Sequence, residues 1–383
     1  VAVGVAILGA TGSIGRSALA VLERHSDRFR VVALTAHRSG AELAGLVERY
    51  RPELAVVVDE SALPTPGRRP PARWLAGREG LLEAATHPAA EIVINAVVGA
   101  AGLEATLAAL GAGKRLALAN KESLVVGGEL VLQAMRRGRG ELVPVDSEHS
   151  AILQCLAGGG SARVRRLFLT ASGGPFRDWT PEALATATPA QALRHPTWSM
   201  GAKITIDSAT LANKALEVIE AHHLFGVGYD QIEVVVHPQS IIHSMVEFTD
   251  GSVLAQLGFP TMELPILYAL TYPDRVPDPG TRFDPIRAGT LTFQPVDPRR
   301  FPAFSLGVEA GRVGGTAPAV FNAANEVAVA AFLAGDLPFP GIAELIDRVL
   351  AAHDPVAVDS VGTVLAVDRE ARVMAQRIVE QRC

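Results

Sequence analysis

The chain has 383 residues, enough for two or three domains, and its 49% hydrophobic and 20% charged content suits sizeable cores rather than a disordered polymer. A net charge of −5, with no long basic tract and no RNP-like aromatic pattern, argues against a nucleic-acid partner. The two cysteines, Cys155 and Cys383, make neither a disulfide framework nor a zinc spacing, which suits a reducing cytoplasm, and the most apolar long stretch, residues 317–334, is interrupted by Asn322, Asn325 and Glu326, so no membrane span is expected.

Residues 3–8 are a nearly continuous apolar run and predict a buried parallel strand. Gly9-Ala10-Thr11-Gly12-Ser13-Ile14-Gly15 follows, then a helical pattern over 16–24. Strand, glycine turn and helix in this order predict a dinucleotide site, because the glycines let a pyrophosphate approach backbone N–H groups at the helix N-terminus. The spacing is G-x-x-G-x-x-G, a departure from the usual G-x-G-x-x-G. The next strand, 29–34, ends in Thr35-Ala36-His37-Arg38-Ser39. The acidic residue that would hold a ribose 2′-hydroxyl is absent, and Arg38 there favours a 2′-phosphate, hence NADP. The alternative is an ordinary exposed loop arginine.

Helix and strand then alternate: helix 41–50, strand 54–58, a Pro/Arg-rich loop 64–71, helix 79–85, strand 92–98, helix 103–112 and strand 115–119. This order predicts a parallel sheet wound on both faces. Asn120-Lys121-Glu122-Ser123 leaves the last of these strands, where ligands of such sheets bind; Lys121 there either faces a substrate oxygen or sits in a capped helix turn. Helix 124–136 and strand 141–145 lead to Asp146 and Glu148. Two residues apart on an extended chain, these carboxylates point one way and suit a divalent metal with oxygen ligands; a solvated acidic turn is the alternative.

A second region opens with a strand over 164–170 and Ser172-Gly173-Gly174-Pro175-Phe176, read as an anion loop or a plain turn. Residues 191–203 carry His195, Pro196, Thr197, Trp198, Ser199, Met200 and Gly201 without helix or strand periodicity. Such a loop either closes over something apolar or is pinned down by its tryptophan. A short strand is expected at 204–206, then a long helix capped by Asp207-Ser208 and running through 221. On that helix Leu211, Ala215, Val218 and His222 form the buried face, while Asn213, Glu217 and Glu220 lie opposite with Lys214 at the edge. Lys214 and Glu217 read either as a surface ion pair or as site residues, Glu217 then being the third carboxylate for the acidic pair. Strands 232–236 and 243–257, the latter with a Thr249–Ser252 hairpin turn, suit an open sheet; His237 and His243 read as structural. Prolines crowd residues 273–302, and helices follow over 305–312, 317–334, 342–352 and 360–381 with no chemical motif.

Taken together, residues 9–15, Ala-Asn-Lys-Glu-Ser-Leu-Val at 119–125, Val-Asp-Ser-Glu-His-Ser-Ala-Ile at 145–152, Ser-Gly-Gly-Pro-Phe at 172–176, the Trp-bearing loop, Asp-Ser-Ala-Thr at 207–210 and Asn213-Lys214 with Glu217 resemble the 1-deoxy-D-xylulose 5-phosphate reductoisomerase family over essentially the whole chain. The resemblance implies an NADPH-dependent enzyme of isoprenoid biosynthesis that isomerises and reduces 1-deoxy-D-xylulose 5-phosphate to 2-C-methyl-D-erythritol 4-phosphate, with Mg²⁺, Mn²⁺ or Co²⁺ held by Asp146, Glu148 and Glu217. It implies a phosphate group of Ser172, Ser208, Asn213 and Lys214, with His195 closing from the loop and Trp198 covering the substrate. Lys121 and Ser147 would touch the oxygen-bearing carbons. Thr11, Gly12, Ser13, Ile14, Asn120 and Glu122 would contact the cofactor, with Met200 and Gly201 by the nicotinamide. A homodimer is implied as well. Thr197, Ala202 and Ala212 depart from the family pattern, and none is a proposed ligand.

The expected architecture is therefore α/β: a Rossmann-like, doubly wound parallel-sheet domain over 1–145, a central α+β catalytic and metal-binding domain with an open sheet over 146–272, a proline-rich linker over 273–302 and an α-helical domain over 303–383. Two rival functions share the nucleotide fold. One is a metal-independent dehydrogenase of the semialdehyde or homoserine type, which leaves the three carboxylates unexplained; the other is an NADP-sensing regulator without turnover. No secretory signal precedes the first strand, although the missing initiator Met leaves a transit segment open.

Overall fold

The structure is a computed structural model that describes residues 2–159, 164–198, 200–280 and 282–381. The chain divides into two compact units: residues 1–123, 129–150 and 261–278 form the first, and residues 124–128, 151–260 and 279–383 the second.

The first unit is built on seven parallel strands, β1 (Val3–Leu8), β2 (Phe29–Ala36), β3 (Leu54–Val57), β4 (Arg73–Ala76), β5 (Ile92–Asn95), β6 (Arg115–Leu118) and β7 (Glu141–Pro144), in the order β4-β3-β2-β1-β5-β6-β7. All but the first of β1's residues are buried or nearly so on both faces, which is why its sequence is a continuous apolar run instead of an alternation. Helices α1 (Ser13–Arg24), α2 (Gly40–Tyr50), α3 (Gly77–Ala85), α4 (Leu103–Gly111) and α5 (Glu122–Gly138) make the crossovers. Chain order reverses between β1 and β5, so the carboxyl ends of β1, β2, β5, β6 and β7 surround the crevice where such sheets take ligands. Strand β4 was not expected: it is four residues long, half-exposed, and preceded by Pro70-Pro71, so it carries little apolar signal. Helix α5 bends at Gly127, whose φ of −145° and ψ of 30° are not helical.

The acidic pair corrects one expectation. Strand β7 ends at Pro144 and helix α6 (Ser147–Gly159) begins at Ser147, so Asp146 and Glu148 do not share a strand face. Asp146 caps the helix and Glu148 lies in its first turn, an arrangement that a two-residue period cannot anticipate.

The second unit has a five-stranded sheet, β8 (Val164–Ala171), β9 (Ile232–Val236), β10 (Ile242–Phe248), β11 (Val253–Leu257) and β12 (Gln294–Pro295), ordered β11-β10-β8-β9-β12, with β8 and β9 parallel and the other pairs antiparallel. Its apolar face meets α6 and the helix over Ala212–Phe225 through Ile152, Leu156, Leu167, Leu169, Val218, Val246 and Phe248. Two short helices, α7 (Pro181–Ala185) and α8 (Pro189–Ala192), precede the Trp-bearing loop; Ser199 of that loop lies outside the described residues. The expected strand at 204–206 is instead part of helix α9 (Ala202–Thr210). Its β-branched Ile204-Thr205-Ile206 suggested a strand, but Thr205 and Thr210 bond the carbonyls of Gly201 and Ile206, four residues back, and so fit a helix. The expected single helix over 207–221 is broken at Leu211, which takes φ +59°, after which α10 (Ala212–Phe225) begins.

Helix α11 (Glu263–Thr271) belongs to the first unit. It packs on α1 and beside β6 and β7, with Arg24 paired to Glu263 at 2.8 Å and to Asp278 at 3.1 Å. The proline-rich stretch after it contains α12 (Pro285–Ala288) and β12. Helices α13 (Pro302–Val313), α14 (Ala317–Ala334), α15 (Phe339–Ala351) and α16 (Val361–Glu380) share the second unit with the central sheet. Helix α14 is long and apolar enough by composition to cross a membrane, but most of it is buried among its neighbours, the mark of a core helix. Cys155 is buried and free, and Cys383 lies outside the described residues.

Candidate active site

In the first unit the glycine turn is shaped by close approach. Gly9 has φ +87°, and a Cβ on it would stand 2.7 Å from the Ala96 carbonyl oxygen. A Cβ on Gly15 would stand 2.4 Å from the Gly9 carbonyl oxygen, so helix and strand can pack only with glycine there. Gly12 is the N-cap of α1 and no side chain caps the helix, which leaves the first-turn N–H groups of Ser13 and Ile14 to an anion. Thr35 closes the turn by accepting the Gly9 N–H at 3.0 Å. Arg38 is exposed over 75% of its side chain and pairs with Asp59 at 2.9 Å. Hydrogen bonds from Ser61 and then Arg38 hold the Asp59 carboxyl below its usual range. Sequence reading missed Asp59, because nothing local connects it to a residue 21 positions earlier.

Asn120 is buried, and its amide nitrogen donates to the carbonyls of Val97 at 2.7 Å and Gly99 at 2.9 Å. Its Oδ1 accepts from Ser123, and a Cβ on Gly102 would strike it at 2.3 Å. Asn120 thus ties the loop after β5 to the end of β6, with Glu122 at 3.1 Å completing the network. The family resemblance assigns it a cofactor contact, and its side chain holds the loop after β5.

Lys121 is buried beside it and places Nζ 2.6 Å from Asp146 Oδ2. Asp146 Oδ1 accepts the Glu148 N–H at 3.2 Å and lies 3.3 Å from His149 Nδ1. Ser147 Oγ donates to Glu148 Oε2 at 2.6 Å. Both carboxylates therefore stand at the positive end of α6, where the helix dipole favours negative charge, and a lysine backs one of them.

The second unit gathers hydroxyls around one imidazole. Gly173 and Gly174 take φ +82° and +68°, and the turn they make sets Ser172 Oγ 3.0 Å from His195 Nε2. Ser208 Oγ, near the end of α9, is 3.2 Å from the same nitrogen. His195 Nδ1 accepts two backbone N–H groups, from Thr197 at 3.1 Å and Trp198 at 2.9 Å. That fixes the tautomer: the proton is on Nε2, which faces the two serines as a donor. Burial, then the nearby Arg177 charge, push its pKa down to about 4, so the ring is neutral near pH 7.

Helix α10 contributes Asn213, Lys214 and Glu217. Lys214 Nζ donates to the Thr170 carbonyl at 2.6 Å and to Glu217 Oε2, while Asn213 donates to Glu217 Oε1. Glu217 is only 1% exposed and Lys214 is buried as well, which rules out the surface ion pair. Leu211, the N-cap of α10, is left-handed and offers no side-chain cap, and Thr210 Oγ1 accepts the Ala212 N–H at 3.3 Å. Trp198 lies half-buried 6.4 Å from the His243 ring, Met200 is half-buried and Gly201 is exposed as the N-cap of α9. His237 is structural as expected: its Nε2 accepts the N–H groups of Ile241 and Ile242.

Family models match almost the whole chain: 1-deoxy-D-xylulose 5-phosphate reductoisomerase over residues 5–128, the C-terminal domain of that enzyme over 142–225 and the DXP reductoisomerase C-terminal domain over 257–374. The chain is 54% identical over 382 residues to the 1-deoxy-D-xylulose 5-phosphate reductoisomerase of Symbiobacterium thermophilum, covering 97% of this chain and 98% of that one. It is 50% identical to the enzyme of Synechococcus sp. strain JA-2-3B'a(2-13), covering 98% and 97%. The chain belongs to the 1-deoxy-D-xylulose 5-phosphate reductoisomerase family.

Solved reductoisomerase structures agree. That of Zymomonas mobilis in complex with NADPH superposes with a TM-score of 0.91 at 45% identity, covering 99% of this chain and 100% of that one. A reductoisomerase in complex with NADPH, fosmidomycin and magnesium gives 0.90 at 40% identity, covering 99% and 98%. Membership in the reductoisomerase family sets aside both the metal-independent dehydrogenase and the sensor without turnover.

Proposed function

We propose that Asp146, Glu148 and Glu217 hold the divalent metal and that the turn Thr11–Ile14 with Arg38 holds NADPH, in a chain that converts 1-deoxy-D-xylulose 5-phosphate to 2-C-methyl-D-erythritol 4-phosphate. The donor set fits a hard cation: three carboxylates, no thiol and no imidazole, as Mg²⁺ and Mn²⁺ prefer, with Co²⁺ also accommodated. The uncapped α1 N-terminus, with room at Gly12, fits a pyrophosphate. When bound, the metal supplies Lewis-acid stabilisation of substrate oxygens during the carbon–carbon rearrangement and NADPH supplies the hydride.

The observation that carries the substrate reading is the convergence of Ser172 and Ser208 on the Nε2–H of a neutral His195. Two hydroxyls and an N–H donor suit the oxygens of a phosphate ester, and Asn213 and Lys214 add an amide and a charge. A phosphate held there orients a phosphosugar and supplies binding energy remote from the reacting carbons. Lys121 and Ser147, hydrogen-bonded to Asp146 and Glu148, stand ready to contact the oxygens on the substrate's reacting carbons. Trp198, with Met200 and Gly201, covers the substrate and nicotinamide and excludes water from the rearranging intermediate. Asn120 and Glu122 shape the cofactor side.

A homodimer is supported by β11, an edge strand whose Val253, Leu254 and Leu257 are exposed. Sedimentation returning only monomer at micromolar concentration would remove that part. A cytoplasmic location is supported by the bacterial relatives. The site assignment is tested by Glu217→Gln: turnover and Mn²⁺ binding are lost while NADPH affinity stays. Near-normal turnover takes Glu217 out of the site.

A further inference from the structure

The C-terminal helices carried no chemical motif, yet one of them reaches the phosphate group. Asn325, in the middle of α14, donates through Nδ2 to Asp207 Oδ1 at 2.8 Å. Asp207 is 1% exposed and is the residue immediately before Ser208 on α9. Lys203, one turn earlier on the same helix, lies 2.8 Å from Asp207 Oδ2. On the other side, Gly174 presses so closely on α9 that a Cβ would stand 2.5 Å from the Ser208 carbonyl oxygen.

We propose that Asn325 is a positioning residue for the phosphate clamp: by fixing the buried Asp207 carboxylate it sets the last turn of α9, and so the direction of Ser208 Oγ toward His195 and Ser172. The inference rests on reading those side chains as the phosphate site. Asn325 Oδ1 is buried and accepts no hydrogen bond among the described residues, so the amide is retained in the core at a cost that its acceptor side does not return. Its donor side answers a carboxylate whose charged partner among the described residues is Lys203. An apolar residue would fill the same volume in α14 but would leave Asp207 short of a donor. The helix itself is held from behind: Glu326 accepts from Asn322 at 3.0 Å and from Arg372 of α16 at 2.7 Å, and Arg372 also grips Asp368. The donor is thus mounted on a braced element, as positioning requires.

The test uses the full chain with NADPH and Mn²⁺ and reads KM for 1-deoxy-D-xylulose 5-phosphate, kcat, NADPH affinity and competition by inorganic phosphate. In Asn325→Leu, KM and the phosphate inhibition constant rise about tenfold, the size of one lost charge-assisted hydrogen bond, while kcat falls by about twofold at most. NADPH affinity is unchanged. Asp207→Asn, which keeps the side-chain volume, raises KM in the same way. The exchange Asp207→Asn with Asn325→Asp restores a donor facing a carboxylate and brings KM back to within about threefold of the parent. A lowered melting temperature with unchanged KM and phosphate inhibition overturns the inference, as does an exchange that folds and recovers nothing. If Asn325→Leu does not fold, Asp207→Asn and the exchanged pair decide alone. Ser208→Ala separates this from the underlying reading: if it leaves KM and phosphate inhibition unchanged, the phosphate site itself is misplaced, whereas a raised KM in Ser208→Ala with none in Asn325→Leu overturns only the role of Asn325.

Discussion

Replacing Gly174 by alanine tests the geometry of the phosphate clamp with a single methyl group. Gly174 has φ +68°, a region that costs an L-residue about 1–2 kcal/mol. The methyl would also stand 2.5 Å from the Ser208 carbonyl oxygen, 2.9 Å from its carbon and 3.1 Å from the Ala209 Cα, all backbone atoms. Backbone has no rotamer to change, so the loop and α9 must separate by several tenths of an ångström or more. Ser172 and Ser208 sit on the two parting elements, each about one hydrogen-bond length from His195, so the three cease to converge. Losing one hydrogen bond to a charged phosphate, at about 1.5–3 kcal/mol, raises KM roughly ten- to 150-fold, and losing a second multiplies that by a similar factor. Gly251→Ala is the control: φ is +84°, but nothing lies within 4 Å of the added Cβ, so it carries the conformational cost alone. Both variants are assayed for KM, kcat and urea denaturation. The two should lose similar conformational stability from φ, with a KM defect in Gly174→Ala only. Equal KM values in the two variants would refute the reasoning, because Gly251→Ala lacks the crowding of α9 beside Ser172 that Gly174→Ala introduces.

Arg38→Ala weakens NADPH more than NADH in parallel titrations, and Asp59→Asn, which frees the guanidinium, shifts the ratio the other way; an unchanged ratio in both removes Arg38 from the 2′-phosphate. His195 supplies a pH signature. Its folded pKa, lowered to about 4 by burial and then Arg177, lies below the ordinary histidine value near 6.5, so the unfolded chain takes up this proton first. The associated stability is present above about pH 6.5 and is lost as pH falls toward 4. His195→Gln flattens the stability–pH curve across that window, and a curve of unchanged slope refutes the neutral assignment.

The parallel-sheet unit was legible because its signals are local. Strands buried on both faces read as apolar runs, and the turn at Gly9–Gly15 is contiguous with the strand and helix it joins. The candidate site residues stand out in the sequence as a set of motifs, while their local geometry was not legible. Asp146 and Glu148 look like strand neighbours until the chain turns into α6 one residue after Asp146. The Ile204–Ile206 triplet has strand composition, yet helical threonines bonding back to carbonyls decide otherwise. The least legible features are pairs across long separations: Arg38 with Asp59, Lys214 with the Thr170 carbonyl, and Asn325 with Asp207, 118 positions away. Hydrophobic periodicity reports which face is buried and carries no record of which polar group waits on the other side.

The central claim is a metal-dependent, NADPH-consuming rearrangement, and NADPH oxidation by the purified protein with 1-deoxy-D-xylulose 5-phosphate tests it most directly. Absorbance at the nicotinamide band should fall with substrate and Mn²⁺, stop after exhaustive chelation, and resume when Mn²⁺ is returned. Oxidation that continues undiminished after chelation contradicts the account.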